Sequence, residues 1–141
     1  EYSFSGHIDT LVREVIHLRR ENPLLRLPQF VHGTLELPDG VARIDWINQQ
    51  GDAKQSSEWA DSRAFTKVIT HTRTDDSESA VAILVNAHHH PAHMRLSLSG
   101  RPQEWRVAFC SSKQDLEFED ERTVLMPDRS IALLLSDQEI A

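Results

Sequence analysis

Hydrophobic positions change their spacing once along this chain. Between residues 5 and 21 they recur at intervals of three and four: Ile8, Leu11, Val12, Val15, Ile16 and Leu18. This spacing predicts one amphipathic helix, whose apolar stripe must pack against another surface. Arg19 and Arg20 suit the negative end of the helix dipole. Asn22-Pro23 ends the helix, because a residue that precedes proline disfavours helical geometry.

After Pro28 the apolar residues alternate with polar ones, a period typical of β-strands. We predict strands at residues 29–32, 42–47, 65–71, 80–86, 93–98, 104–109 and 130–135, and a weaker one at 123–126. The runs 80–85 and 131–135 are apolar throughout and predict central strands. Residues 48–61 are mostly polar and predict a long loop. Many short strands at this spacing indicate an antiparallel sandwich or barrel.

Composition limits the classes of function. The chain has 141 residues, 39% of them apolar and 26% charged, as expected for one globular domain or one domain with an appended element. A net charge of −7 argues against nucleic acid or an anionic membrane as a partner, because phosphate binding needs a basic surface. The single cysteine, Cys110, suits a reducing compartment, and with no signal peptide or membrane span visible we expect the cytoplasm. The chain opens on Glu1 without a methionine, so we expect a fragment of a longer protein.

Clustered histidines are the sharpest candidate for a metal site. His88, His89 and His90 follow an apolar run, and His93 lies just beyond. Zinc needs three or four ligands that converge on one point. On an extended strand adjacent side chains point to opposite faces, so that only His88 and His90 share one, with His71 as a possible third ligand. We favour strand-end packing or surface histidines, keep metal binding by His88 and His90 as the alternative, and predict no cofactor.

Other reactive residue types have simpler interpretations. Cys110 follows an apolar strand without a nucleophile-elbow pattern, which favours a semi-buried structural cysteine. The acidic run 117–121 lacks the spacing that indicates two carboxylates facing each other across a cleft, and we expect a solvated hairpin. Neither feature predicts a catalytic residue in this chain.

The three tryptophans divide into two groups. Trp46 and Trp105 lie in alternating strand patterns, where core packing is expected. Trp59 lies in a polar stretch, where it either packs the loop onto the body of the domain or is presented to a ligand. We favour packing, and Trp59 is the candidate carbohydrate-binding residue if the alternative holds.

Three ordered stretches resemble the C-terminal part of bacterial glycogen debranching enzymes of the isoamylase type, in the α-amylase clan of glycoside hydrolases. Residues 18–26 (LRRENPLLR) are similar to the family's LRRxHPxLR segment. Residues 44–47 (IDWI) and 58–63 (EWADSR) are similar to its I.WL and DW.D..AR pair. Residues 84–91 (LVNAHHHP) are similar to LLNAHHEP, and residues 105–107 (WRV) to a later tryptophan strand. Asn22 stands where the family has histidine, and His90 where it has an acid.

The resemblance implies a division of labour within a longer enzyme. Residues 1–28 would be the last helix of a (β/α)8 barrel with its linker, and residues 29–141 a C-terminal antiparallel β-sandwich, a mainly β fold preceded by one helix. The catalytic carboxylates would lie on the barrel, outside this sequence, and would hydrolyse α-1,6 branches of glycogen-like glucans by the retaining route. This chain would be inactive alone. Its implied partners are that barrel and possibly glycogen, and the helix stripe, deprived of the barrel, would pack on the sandwich or self-associate.

Two further functions stay open at the sequence level. A stand-alone carbohydrate-binding module would be favoured by an exposed, coplanar aromatic pair, such as Trp59 with Tyr2 or Phe118. A metal-binding or enzymatic β-domain would use the histidine cluster.

Overall fold

The computed structural model describes residues 4–22, 25, 41–60, 62–72, 78–96, 105–112, 115–120 and 122–137. The chain forms two compact units, Glu1–Asp39 and Gly40–Ala141. The predicted strand at residues 29–32 lies outside the described residues.

The first unit contains helix α1, Phe4–Glu21, which confirms the predicted amphipathic helix. Asn22 ends it: its backbone N–H and its side-chain Nδ2 both donate to the Leu18 carbonyl, at 3.0 and 2.9 Å. The side-chain amide of Asn22 therefore adds a second donor to a carbonyl of the last helical turn. Four residues of the apolar stripe are 43–49% exposed: Ile8, Val12, Val15 and Ile16. No helix in the described part of the chain is long and apolar enough to cross a membrane.

The second unit is built from two antiparallel sheets. Its strands are β1 (Val41–Asn48), β2 (Ala64–Thr72), β3 (Glu78–Asn86), β4 (Ala92–Arg95), β5 (Arg106–Cys110), β6 (Glu117–Phe118), β7 (Thr123–Met126) and β8 (Ser130–Asp137). The larger sheet has the order β1-β2-β3-β8-β5, and the smaller one β4-β7-β6. The predicted mainly β fold, a sandwich preceded by one helix, is confirmed. The two apolar runs form β3 and β8, near the centre of the larger sheet, as predicted.

The core lies on one face of the larger sheet, where alternate residues of β2, β3 and β8 meet side chains of β4 and β7. Val68, Leu84 and Leu134 come from the larger sheet, and Met94 and Met126 from the smaller one; all are fully buried. The burial of each side chain of this size stabilises the folded state by about 1.5–3 kcal/mol. This packing holds the two sheets together.

The opposite face of the larger sheet is also apolar. Ile69, Val81 and Leu135 are cross-strand neighbours there and at most 7% exposed, although none belongs to the core between the sheets. Strands that are apolar on both faces lose the alternation that would tell the core face from the outer face. The sequence pattern of such a strand therefore does not determine which of its side chains face the core.

Most strand ends lie within two residues of the prediction, but one strand is shorter than predicted and one was not predicted. The strand predicted at 93–98 ends at Arg95, after which the buried Leu96 donates its N–H to the Arg122 carbonyl at 2.5 Å. The two-residue strand β6 lies within the acidic run, in which no apolar alternation marks a strand. Strands this short are held by their partner rather than by their own sequence.

Candidate functional site

An aromatic cluster lies on the outer face of the larger sheet, at its β1 edge. Trp46 of β1 and Phe65 of β2 meet Trp59, which follows a short 3-10 helix, Ser56–Glu58. Ring centroids are 5.3 Å apart for Trp46 and Trp59, 5.9 Å for Trp46 and Phe65, and 5.6 Å for Trp59 and Phe65. The Lys54 ammonium lies 4.6 Å from the Trp59 ring centroid, and that of Lys67 lies 5.0 Å from the Trp46 ring. Contacts of this kind stabilise both rings and the cations.

The expectation that Trp46 packs in the core is wrong. Trp46 is 40% exposed and pairs across the strands with Lys67, whereas the next residue, Ile47, is 3% exposed and belongs to the core. Since both faces of the sheet are apolar, the sequence pattern did not determine which of the two faced inward. Trp105 does pack against the core, as predicted.

Trp59 fastens its loop to the sheet. It contacts Trp46 and Phe65, and Lys54 covers one face of its ring, so the packing interpretation holds. The side chain nevertheless keeps 46% of its surface exposed. Carbohydrate binding by Trp59 stays a prediction.

The loop that carries Trp59 is held by side-chain hydrogen bonds to its backbone. Asn48 Oδ1 accepts from the backbone N–H groups of Gln50 and Asp52, at 3.1 and 2.9 Å. Glu58 accepts from Asn48 Nδ2 at 3.3 Å and from the Gln55 N–H at 2.9 Å. Gly51 has a φ of 92°, a conformation that is costly for residues with a Cβ. The segment predicted as a long polar loop is therefore an ordered structure.

A second ordered segment follows β3 and contains the three histidines. Asn86 is 1% exposed, and its Nδ2 donates to the carbonyls of His90, Met126 and Pro127, at 3.2, 3.3 and 3.0 Å. Its Oδ1 accepts from the His88 N–H at 3.0 Å. This one amide joins the histidine segment to the turn between β7 and β8. The strand ends at Asn86, so the premise that the histidines continue an extended strand is wrong.

The histidines contact one another without forming a metal site. The rings of His88 and His90 stack with centroids 4.8 Å apart, and His89 meets His90 edge to face. Within the residues that the structure describes, no group of three or more His, Cys, Asp and Glu side chains could hold a metal ion. The side chain of His71, the possible third ligand, lies outside that description. Partial desolvation lowers the pKa of His88, and the neighbouring His90, Arg63 and His89 lower it further.

The remaining candidates have structural roles. Cys110 is half-buried against the core, which confirms the semi-buried interpretation. Residues 117–120, the described part of the acidic run, are exposed and lie in the hairpin that pairs β6 with β7, as predicted. Asp120 accepts from the Arg122 N–H at 2.7 Å and from the Thr123 hydroxyl at 3.2 Å, and the bond from Arg122 is the main cause that lowers the pKa of this carboxyl.

The two ordered segments border a polar cleft of about 390 Å³. Except for Ala64, its lining residues are polar. They are Asn48, Gln49, Gln50, Ser57, Glu58, Ser62, Arg63 and His88. Sequence reasoning missed this cleft, because its residues come from three separate stretches of polar loop. Among the described lining residues Glu58 is the one carboxylate, so the lining does not supply the pair of carboxylates that glycoside hydrolysis requires. A lining of this composition suits a polar ligand.

Three of the stretches singled out by the sequence resemblance, residues 44–47, 58–63 and 84–91, meet here. Trp46 contacts Trp59, Ala87 donates its backbone N–H to the Arg63 carbonyl at 2.7 Å, and Arg63 and His88 line the same cleft. Comparison of the chain with protein-family models and with curated proteins finds no match.

Proposed function

We propose that this chain is the non-catalytic C-terminal β-sandwich domain of a glycogen debranching enzyme of the isoamylase type. The catalytic barrel, N-terminal to residue 1 in the same polypeptide, would hydrolyse α-1,6 branch linkages in glycogen-like glucans. This domain supports the barrel and the rim of its substrate cleft, in the cytoplasm where we expect the enzyme to act.

The meeting of the resembling stretches carries the proposal. Residues 44–47, 58–63 and 84–91 belong to or flank the consecutive strands β1, β2 and β3, and they contact one another at one end of the larger sheet. The order and spacing of the stretches are therefore compatible with one folded unit, as the resemblance requires. The mainly β fold also agrees with the domain that the resemblance implies.

The experiment compares three proteins in a reducing-end assay on glycogen: residues 1–141 alone, the complete polypeptide, and the complete polypeptide without residues 41–141. Of the three proteins, we expect only the complete polypeptide to be active. Residues 1–141 lack the catalytic barrel, and the truncated polypeptide lacks the domain that covers one surface of the barrel. Activity of residues 1–141 alone, or a complete polypeptide without a glycoside hydrolase barrel, contradicts the proposal.

Helix α1 supports a related proposal, self-association in the absence of the barrel. Its residues Ile8, Val12, Val15 and Ile16 are nearly half exposed, and an apolar stripe in water favours pairing. Sedimentation should show a concentration-dependent dimer that Val12→Glu with Val15→Glu abolishes. The exposed charge change Glu14→Lys serves as the control. A monomer at all concentrations rejects self-association and leaves the main proposal untouched.

A carbohydrate-binding module is the second candidate, favoured by the exposure of Trp46 and Trp59. These two rings meet at 74°, however, so they do not form a coplanar platform on which consecutive sugars could stack. Phe118, also exposed, lies on β6 in the other sheet. Retarded migration in glycogen-containing gels that Trp59→Ala abolishes would favour this candidate.

A further inference from the structure

We propose that the polar cleft beside the histidine segment binds the end of a neutral oligosaccharide. The inference rests on the proposed function only for the source of that sugar, a glucan chain. The class of ligand follows from the cleft itself. Its volume of about 390 Å³ lies within the range of small-ligand sites, roughly 300–1,000 Å³.

The lining favours a ligand rich in hydroxyl groups. Its side chains are three amides, two hydroxyls, one carboxylate, one guanidinium and one imidazole, all of which hydrogen-bond to hydroxyls as donors, acceptors or both. The charges of Glu58 and Arg63 cancel, so the cleft as a whole attracts neither a strong anion nor a strong cation. An apolar ligand would cover these polar groups without offering them hydrogen-bond partners, which disfavours its binding. A neutral sugar satisfies both conditions.

The cleft is formed before any ligand arrives. The side chains of Asn48 and Glu58 hydrogen-bond to each other, and their oxygens also accept from backbone N–H groups of the loop. The Gln49 carbonyl accepts from the Arg95 N–H at 3.1 Å, which ties the loop to β4. On the other side, the Ala87 N–H bond to Arg63 and the Asn86 bonds hold the histidine segment. A preformed site avoids the ordering cost that weakens binding by mobile loops.

Five of the lining residues have one of two roles. Asn48 and Glu58 build the scaffold, and their substitution would disturb the loop itself. Gln49, Gln50 and Ser57 are displayed by that scaffold, and their side chains are assigned to sugar recognition. Gln55 lies in the same loop but outside the lining, where its amide donates to the Ala53 carbonyl at 3.3 Å. It provides a matched glutamine control.

The test is a titration of the 141-residue chain with maltoheptaose, followed through backbone amide NMR shifts. We expect saturable shifts concentrated in residues 48–63 and 86–90. The double substitution Gln49→Ala with Gln50→Ala should weaken binding by about tenfold or more, whereas Gln55→Ala should change it by less than about twofold. Urea midpoints equal to that of the wild type show that each variant is folded.

Three results overturn the proposal: no shifts at high sugar concentration, shifts centred elsewhere, or binding that the double substitution does not weaken. Stronger binding of inorganic phosphate than of maltoheptaose also overturns it, since Arg63 and the histidines would then form an anion site. None of these results affects the activity comparison of the complete polypeptide. Failure of the cleft and failure of the debranching proposal are thereby distinguishable.

Discussion

Replacing Asn86 tests whether one buried amide holds the histidine segment against the sandwich. In Asn86→Ala, four backbone groups lose a hydrogen-bond partner: the His88 N–H and the carbonyls of His90, Met126 and Pro127. The bonds to Met126 and Pro127 are buried, and water replaces the other two more readily. The Pro127 carbonyl keeps the Ser130 hydroxyl as a donor at 2.6 Å, so it is not left unpaired. Each buried group left without a partner costs about 1–3 kcal/mol. With one buried group affected, we expect the free energy of unfolding to fall by about 1–3 kcal/mol, including a small term for the lost volume.

Urea unfolding followed by tryptophan fluorescence measures this change. The midpoint should fall while the denaturant slope stays constant, because the surface exposed on unfolding is unchanged. His89→Ala is the control, an exposed neighbour whose loss should change stability by less than about 0.5 kcal/mol.

Asn86→Asp sharpens the test, because the shape is kept while the donor is lost. The ionised carboxylate would face three carbonyl oxygens, which raises its pKa in the folded state. The folded state then binds the proton more tightly, so the deficit of this variant should shrink as the pH falls towards 4 and grow at pH 8. A loss below about 1 kcal/mol in Asn86→Ala, or a pH-independent deficit in Asn86→Asp, would refute the reasoning.

Three further predictions concern the neighbouring segments. Trp59→Ala should lower the free energy of unfolding by about 1–3 kcal/mol, because two aromatic contacts and a cation-π contact are lost. Trp59→Phe should lower it by less. Equal losses of the two variants in urea unfolding would contradict the packing role. Arg129 has a φ of 46°, so Arg129→Asn should stabilise by up to about 1 kcal/mol in thermal unfolding, and a loss would argue against strain there. Because the pKa of His88 is lowered on folding, the unfolded chain binds more protons and stability should fall as the pH drops below about 6.5. His88→Gln should remove part of that fall between pH 7 and 5, and identical pH profiles would contradict it.

The fold was predictable where a local pattern has one structural meaning. The stripe of helix α1 and the apolar runs of β3 and β8 are of this kind, since their period and length exclude the alternatives. The orientation of Trp46 was not predictable, because Ile44, Trp46 and Ile47 are all apolar and the sheet is apolar on both faces. Register then decides which side chain faces the core, and register is set by partner strands rather than by the segment itself.

The cleft was beyond sequence reasoning for a different reason. Asn48, Glu58 and Arg63 are common loop residues, and no spacing between them indicates that they share a site. The same applies to Asn86, whose partners Met126 and Pro127 are about 40 residues away. The resemblance alone assigned these stretches to one domain, and it did not indicate that they contact one another.

The most direct test of the central proposal is an immunoprecipitation of the native protein with an antibody raised against residues 1–141. The proposal predicts a polypeptide much larger than the 16.1 kDa of this chain, and a precipitate that releases linear chains from glycogen by cleaving α-1,6 linkages. As a control, antibody that has been saturated with the 141-residue chain should precipitate neither the larger polypeptide nor the α-1,6 activity. A native protein of about 16 kDa, or a larger one without α-1,6 activity, would contradict the proposal.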